Sequence, residues 1–295
     1  MGISFDNVSF NYRDGSLASQ LGLNQLNLEL TEGCMTAVLG TSGSGKSTLL
    51  QHMNGLLLPD EGSVHILEFK LKSGKQGDVP KGLRKKVGLV FQYPEQQLFE
   101  STVEQDLRFG PLNFGAPMEV AEKAAQLAGE AMGLDQELLD KNPFELSSGQ
   151  MRKAAVAAVL ASDPDILVLD EPTASLDPAS RGELMTLLHK LCKEKGKTVI
   201  VVTHRLEEAL PYADEFVVLS DGKAIFNGGA ADLIDRQEVL KAAGIVLPCS
   251  LRMAGMIAER FAEQPADVHR SPAELADWIA AFVQGKGQQA FGEEE

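Results

Sequence analysis

Apolar and polar positions alternate from the first residues. Ile3, Phe5, Val8 and Phe10 mark one extended segment, and Leu26, Leu28 and Leu30 mark a second after a loop predicted around Asp14 to Gly22. The short apolar runs Thr36–Leu39, Val87–Phe91, Ile166–Leu169 and Thr198–Val202 read as buried strands. Gly62–Leu71 reads as a hairpin region, followed by a polar, flexible stretch from Lys72 to Gly82. Phe216–Leu219 and Lys223–Phe226 read as another hairpin, turning at Asp221-Gly222. Helical patterns cover Ser47–Leu57, the alanine-rich span Thr102–Ala161 with Pro111, Pro117 and Pro143 as punctuation, and Pro178–Lys195. This order predicts an α/β fold: a mixed core sheet interrupted by a helical insertion. Past about Gly229 the pattern changes. Leu251, Ala254, Ala258 and Phe261 share one helical face, as do Leu275, Trp278, Ile279 and Phe282, and Gly285–Glu295 reads as a disordered tail.

Chemistry enters between the third predicted strand and the first helix. Gly40-Thr41-Ser42-Gly43-Ser44-Gly45-Lys46-Ser47-Thr48 places a glycine-rich loop at a helix start. Glycines let successive N–H groups point inward at phosphate oxygens, and the helix N-terminus adds partial positive charge. At this spacing Lys46 reaches the β- and γ-phosphates and the Ser47 hydroxyl ligates Mg²⁺, so the chain is expected to bind a nucleoside triphosphate. The strand Ile166–Leu169 ends in adjacent carboxylates: Asp170 would hold the Mg²⁺ through a water, and Glu171 would take a proton from the attacking water. Without the upstream loop, the two acids would read as a solvated strand end.

The net charge of −15 argues against a general nucleic-acid binder. Lys81 to Lys86 carries four cations, read as a solvated edge. Cys34, Cys192 and Cys249 lack any C-x-x-C pair, which fits a reducing compartment rather than a disulfide framework or zinc site. No apolar run reaches bilayer-spanning length, and the strand pattern starting at Ile3 leaves no room for a signal peptide. Membrane association is therefore expected through a partner or the surface.

Leu146-Ser147-Ser148-Gly149-Gln150, one helix before the Asp170-Glu171 strand, resembles the signature sequence of ABC-type ATPases. Ser148 stands where glycine is usual, a change expected to leave phosphate binding intact. The resemblance covers roughly residues 2 to 230 and implies a P-loop NTPase of the ABC ATPase type. That fold has an antiparallel β subdomain beside the core sheet, a helical subdomain at about 95–162 and a C-terminal helical extension at 231–284. It further implies roles for matching residues. Gln92 senses Mg²⁺ and nucleotide, His204 contacts the γ-phosphate, and Ser175-Leu176-Asp177 communicates across a dimer. Tyr12 stacks on adenine, although a plain core or surface aromatic is an open alternative. Ser147, Gly149 and Gln150 would complete the site of a second subunit placed head to tail.

A narrower resemblance follows Gln92. Tyr93-Pro94-Glu95-Gln96-Gln97-Leu98-Phe99-Glu100 and Phe109-Gly110-Pro111-Leu112-Asn113-Phe114-Gly115 are similar to the ATPase subunits of energy-coupling factor transporters, importers of vitamins and transition metals. The implied partners are a second such ATPase, a transmembrane coupling subunit and a small substrate-capturing membrane protein. The implied place is the cytoplasmic side of the cell membrane. The helices past 230 would then serve pairing, or equally cap their own domain. Two rivals share the chemistry. One is the ATPase of another ABC transporter class. The other is a soluble ABC protein of DNA repair or translation, disfavoured by the absence of sustained heptads between Lys46 and Ser147 and by the single cassette.

Overall fold

The computed structural model describes residues 2–12, 20–74, 79–80, 82–261 and 273–281. Strands β1 (Ile3–Tyr12), β2 (Gln20–Leu30), β4 (Glu61–Ile66) and β5 (Phe69–Lys72) form an antiparallel sheet in the order β2-β1-β4-β5. A second sheet, in the order β10-β9-β3-β8-β7-β6, joins β3 (Met35–Leu39), β6 (Val87–Val90), β7 (Ile166–Asp170), β8 (Thr198–Val202), β9 (Glu215–Ser220) and β10 (Lys223–Gly228). Its strands are parallel from β9 to β6, and β10 is antiparallel, so the sheet is mixed.

Strands buried on both faces have no reason to alternate, and β3 and β8 are buried at every residue. Helix α1 (Lys46–Met53) lies between the two sheets. Its Leu49, Leu50 and Met53 share a core with Ile3, Phe5 and Leu26 on one side and Val168 and Ile200 on the other. Burying each such side chain contributes about 1.5–3 kcal/mol relative to leaving it exposed. A short α2 (Leu83–Lys86) precedes β6.

The opposite face of the large sheet is covered by α3 (Val103–Asn113), α4 (Met118–Ala131), α5 (Gln136–Leu139), α6 (Ser148–Leu160) and α7 (Pro178–Lys195). Leu107, Ala125, Leu139, Val156 and Leu188 pack there with Leu167, Leu169 and Val201. A third core gathers Leu206 and Ala209 of α8 (Leu206–Ala209), Leu233 of α9 (Ala230–Asp235) and Leu240 of α10 (Gln237–Ala242). They meet Ala37, Leu39, Phe216 and Val218 of the sheet. Helix α11 (Cys249–Phe261) and a last helix, α12, at 273–281 follow. Leu251 packs on the third core, Ala254 and Leu275 are buried, and Trp278 and Ile279 are half-buried. The side chains of Ala258 and Phe261, together with Phe282 and the tail 285–295, lie outside the described residues.

Several boundaries differ from the sequence reading. β2 begins at Gln20, inside the predicted loop, because Gln20, Leu21 and Leu23 pair with Tyr12, Asn11 and Phe10; residues 14–19 lie outside the described set. α1 stops at Met53 rather than continuing to Leu57. The N–H groups of Leu56 and Leu57 both turn back to the Gln51 carbonyl, and Gly55 has φ +68°. Pro111 lies inside the last turn of α3, which ends at Asn113 shortly after it. Pro117 and Pro143 do start elements, as the N-cap of α4 and the first residue of a 3₁₀ turn. In the basic run, Lys81 is outside the described residues, and Lys86 is paired with Asp165 at 2.7 Å. Of the stretch predicted to be flexible, Lys72 belongs to β5 and 75–78 are outside the described residues.

Candidate functional site

Four loops leave the same end of the large sheet, after β3, β6, β7 and β8, and they carry Gly40 to Gly45, Gln92, Glu171 and His204. The loop after β3 turns through left-handed backbone at Gly43 and Gly45. A Cβ on Gly45 would lie 2.5 Å from the Gly22 carbonyl oxygen, and one on Gly40 would lie 2.5 Å from the Leu219 oxygen. Both glycines are therefore demanded by space as well as by conformation. Lys46 opens α1, is 8% exposed, and folds back so that its Nζ donates to the carbonyls of Gly40 (2.9 Å) and Thr41 (2.7 Å). Burial pulls its ammonium below the usual lysine range, opposed by the charges of Glu171 and Asp170. Among the described residues the buried Ser44 hydroxyl has no hydrogen-bond partner.

Ser47 Oγ donates to Asp170 Oδ2 at 2.8 Å. Burial pushes the Asp170 carboxyl up, and the Ser47 bond opposes it. Hydroxyl and carboxylate side by side are the hard oxygen donors that suit a small divalent cation. Glu171 has φ +47°, a conformation rare for a residue with a side chain, and its N–H is tied to the Val202 carbonyl at 3.0 Å. Its carboxylate meets two of the other loops: Oε1 lies 3.1 Å from His204 Nδ1 and Oε2 accepts from Gln92 Nε2 at 3.5 Å. Tyr12 completes the far side, its hydroxyl 3.0 Å from Thr48 Oγ1 and its ring edge-on to Phe10.

These residues surround one cavity of about 600 Å³, within the size range of ligand sites. Tyr12, Gly40 to Gly43, Gly45 to Thr48, Gln92, Asp170, Glu171 and His204 line it. Ser147, Gly149, Gln150 and Asp177 do not. Ser147 caps α6 instead: its hydroxyl accepts from Gln150 N–H at 3.3 Å while Gln150 Oε1 accepts from Ser147 N–H at 3.0 Å. Ser148 is exposed at the first position of that helix. Gly149 stands where a Cβ would come 3.2 Å from Ser180 Oγ. Asp177 caps α7, accepting from Ala179 and Ser180 N–H at 3.0 and 3.1 Å and from the Ser180 hydroxyl, which holds its carboxyl below the usual range.

Two contributions were not anticipated from sequence. Arg152, on α6, is 3% exposed, and its Nη1 donates to the carbonyls of Gln92 (3.4 Å), Glu171 (3.4 Å) and Pro172 (3.1 Å). The helix that begins at Ser147 is thereby tied to the loops carrying Gln92 and Glu171. The cavity wall also includes Leu21, Gly22 and the turn Ala243-Gly244-Ile245. The β-period at Gln20 to Leu23 could have revealed the first pair, whereas nothing local in the sequence announces the turn.

The family model described as ABC transporter matches residues 23–174. An energy-coupling factor transporter ATP-binding protein of Bacillus cereus, EcfA2, is 47% identical over 261 residues, 88% of this chain and 89% of that protein. The protein of the same name from Geobacillus kaustophilus is 45% identical over 261 residues, 88% of this chain and 90% of its own. Among solved structures, cbiO1 from Clostridium perfringens, part of the ABC transporter complex cbiONQ, is 34% identical with a TM-score of 0.72. It covers 86% of this chain and 98% of its own. A dimeric ATP-binding cassette, MJ0796, bound to ADP and Pi, is 31% identical with a TM-score of 0.69, over 77% of this chain and 98% of its own. The chain is an ABC transporter ATPase and belongs to the family of energy-coupling factor transporter ATP-binding proteins.

Proposed function

We propose that this ATPase is the motor subunit of an energy-coupling factor importer and that ATP bound in the cavity is cleaved there. The observation that carries the chemistry is the Glu171 carboxylate, held between Gln92 and His204 beside the Lys46 loop. Loop N–H groups from Gly40 to Thr48 and the Lys46 ammonium bind the phosphates, and Tyr12 stacks on the base. Ser47, Asp170 and Gln92 would hold Mg²⁺, which would supply positive charge to offset that of the phosphates. Glu171 takes a proton from water as the water oxygen bonds to the γ-phosphorus. The bond to the β-phosphate oxygen breaks, and ADP and phosphate leave. His204 and Gln92 orient the water and the γ-phosphate.

Ser147, Gly149, Gln150 and Asp177 lie outside their own cavity, which supports their serving the site of a second ATPase, identical or related. Residues 1–230 form the ATPase domain, the insertion at about 95–162 its helical part, and 231–284 a helical extension that serves pairing or caps its own domain. Among the described residues no helix is long and apolar enough to cross a membrane. Attachment to the cytoplasmic side of the cell membrane then falls to a transmembrane coupling subunit, with a small capture protein selecting a vitamin or transition metal. The test is purification of the tagged chain from native membranes in detergent, with every companion identified by mass spectrometry. A second ATPase, a multispanning subunit and small membrane proteins are expected; recovery from the soluble fraction alone would overturn the transport reading.

A further inference from the structure

The turn after α10 approaches the phosphate loop at Thr41. Its residues are fixed from below: Leu240, Ala243 and Ile245 are 2%, 1% and 7% exposed and share a core with Leu39 and Val218. The Ile245 N–H closes the turn on the Leu240 carbonyl at 2.8 Å, and Gly244 takes φ +60°. At that point the chain runs so close to the phosphate loop that a Cβ on Gly244 would stand 2.8 Å from Thr41 Cγ2. Ala243, Gly244 and Ile245 all line the nucleotide cavity. Thr41 in turn gives its carbonyl to Lys46 Nζ and to the Ser44 N–H (3.2 Å), so a displaced Thr41 carries the loop's donors with it.

We propose that Gly244 is a positioning residue for ATP binding. The turn 243–245 is a wall of the nucleotide site, and its contact with Thr41 sets the width of the phosphate loop. Two physical facts make the contact consequential. The turn is pinned in a packed core, which does not yield gradually. Thr41 is exposed but β-branched, so its χ1 is confined to few rotamers. Added bulk at 244 is therefore transmitted to the loop rather than absorbed. Because α11 leaves the same turn, ATP in the cavity and the placement of the C-terminal helices are linked through this single approach. The inference rests on the reading that ATP occupies this cavity.

The experiment is equilibrium dialysis of ATP with Mg²⁺ against the full-length chain and its Gly244→Ala, Thr41→Ser, Thr41→Ser/Gly244→Ala and Lys46→Ala forms. Gly244→Ala is expected to weaken ATP binding by about tenfold, the scale of overpacking a tight contact. Thr41→Ser removes the methyl that the new Cβ meets. The double variant is therefore expected to bind within about twofold of Thr41→Ser alone, the margin of additivity for independent changes. Unchanged affinity in Gly244→Ala overturns the proposal. So does a loss that Thr41→Ser fails to rescue, because backbone strain at φ +60° would not be relieved by it. Lys46→Ala separates the two readings: if it binds ATP as the parent does, the cavity assignment itself fails. Should Gly244→Ala not fold, amide exchange at residues 241–247 of the unaltered chain decides. Slower exchange with ATP is expected, and identical exchange overturns the link.

Discussion

His204 Nδ1 lies 3.1 Å from Glu171 Oε1, across the mouth of two parallel strands that pair side by side. The imidazole and the carboxylate come from different loops, so their approach depends on the β7–β8 register and on the left-handed turn at Glu171. Glu171→Gln keeps the shape and removes the base. ATP binding is expected to persist while turnover falls by roughly 10²–10⁴-fold, the usual worth of a general base. Steady-state phosphate release beside an ATP titration would show it, and near-normal turnover would remove Glu171 from the role.

Arg152→Met keeps most of the apolar stem and withdraws a donor from three carbonyls. Breaking such a buried, charge-assisted network is expected to lower stability by about 2–4 kcal/mol. Turnover should fall further than the fraction of folded protein does, because the Gln92 and Glu171 loops lose a common anchor. Urea unfolding read alongside activity distinguishes the two; an unchanged midpoint would deny Arg152 this role.

Lys46→Ala removes the ammonium that now bridges the Gly40 and Thr41 carbonyls. ATP affinity is expected to drop by at least about tenfold, as for loss of a charge-assisted phosphate contact. Thermal stability should hardly change, since desolvating the lysine opposed its own charge. Calorimetric titration and a thermal melt test both halves.

His52, on α1, is fully buried edge-on to Phe10, with Nδ1 2.7 Å from the Thr48 carbonyl. Burial drives its pKa below the ordinary 6.5. The unfolded chain therefore takes up a proton near that pH while the folded chain does not. Unfolding free energy should consequently fall as pH drops below about 6.5, by at most about 1.4 kcal/mol per unit until the folded-state pKa is reached. Above that range the residue has no effect. In His52→Gln this part of the acid dependence is expected to disappear, measured as urea midpoints between mildly alkaline and mildly acidic pH.

The strands and the cradle were legible in the chain because both follow from local rules. Fully apolar four- and five-residue runs can hide only in a sheet covered on both faces, and the loop from Gly40 to Lys46 announces its own turn. Pro111 announced the end of α3 but not its exact place, since the helix runs on to Asn113. Arg152 was illegible for another reason: an arginine in an alanine-rich helix looks solvated until three carbonyls from distant strands are brought to it. Gly244 likewise gains meaning only from Thr41, far away in sequence. Contacts of that kind have no signature in either partner's neighbourhood.

Gly40, Gln92, Asp170 and His204 all stand at one end of the large sheet's parallel strands, while α3 to α6 hang between β6 and β7 and α9 to α12 follow the last strand. The chemistry is thus rooted in strand ends that the sheet holds at fixed spacing, and both attachments reach it: the insertion through Arg152 on the Gln92 and Glu171 carbonyls, the tail through the turn at Gly244 beside Thr41. Such a layout gives the insertion and the tail each a handle on the ATP chemistry, so a load felt by either attachment arrives at the same strand ends.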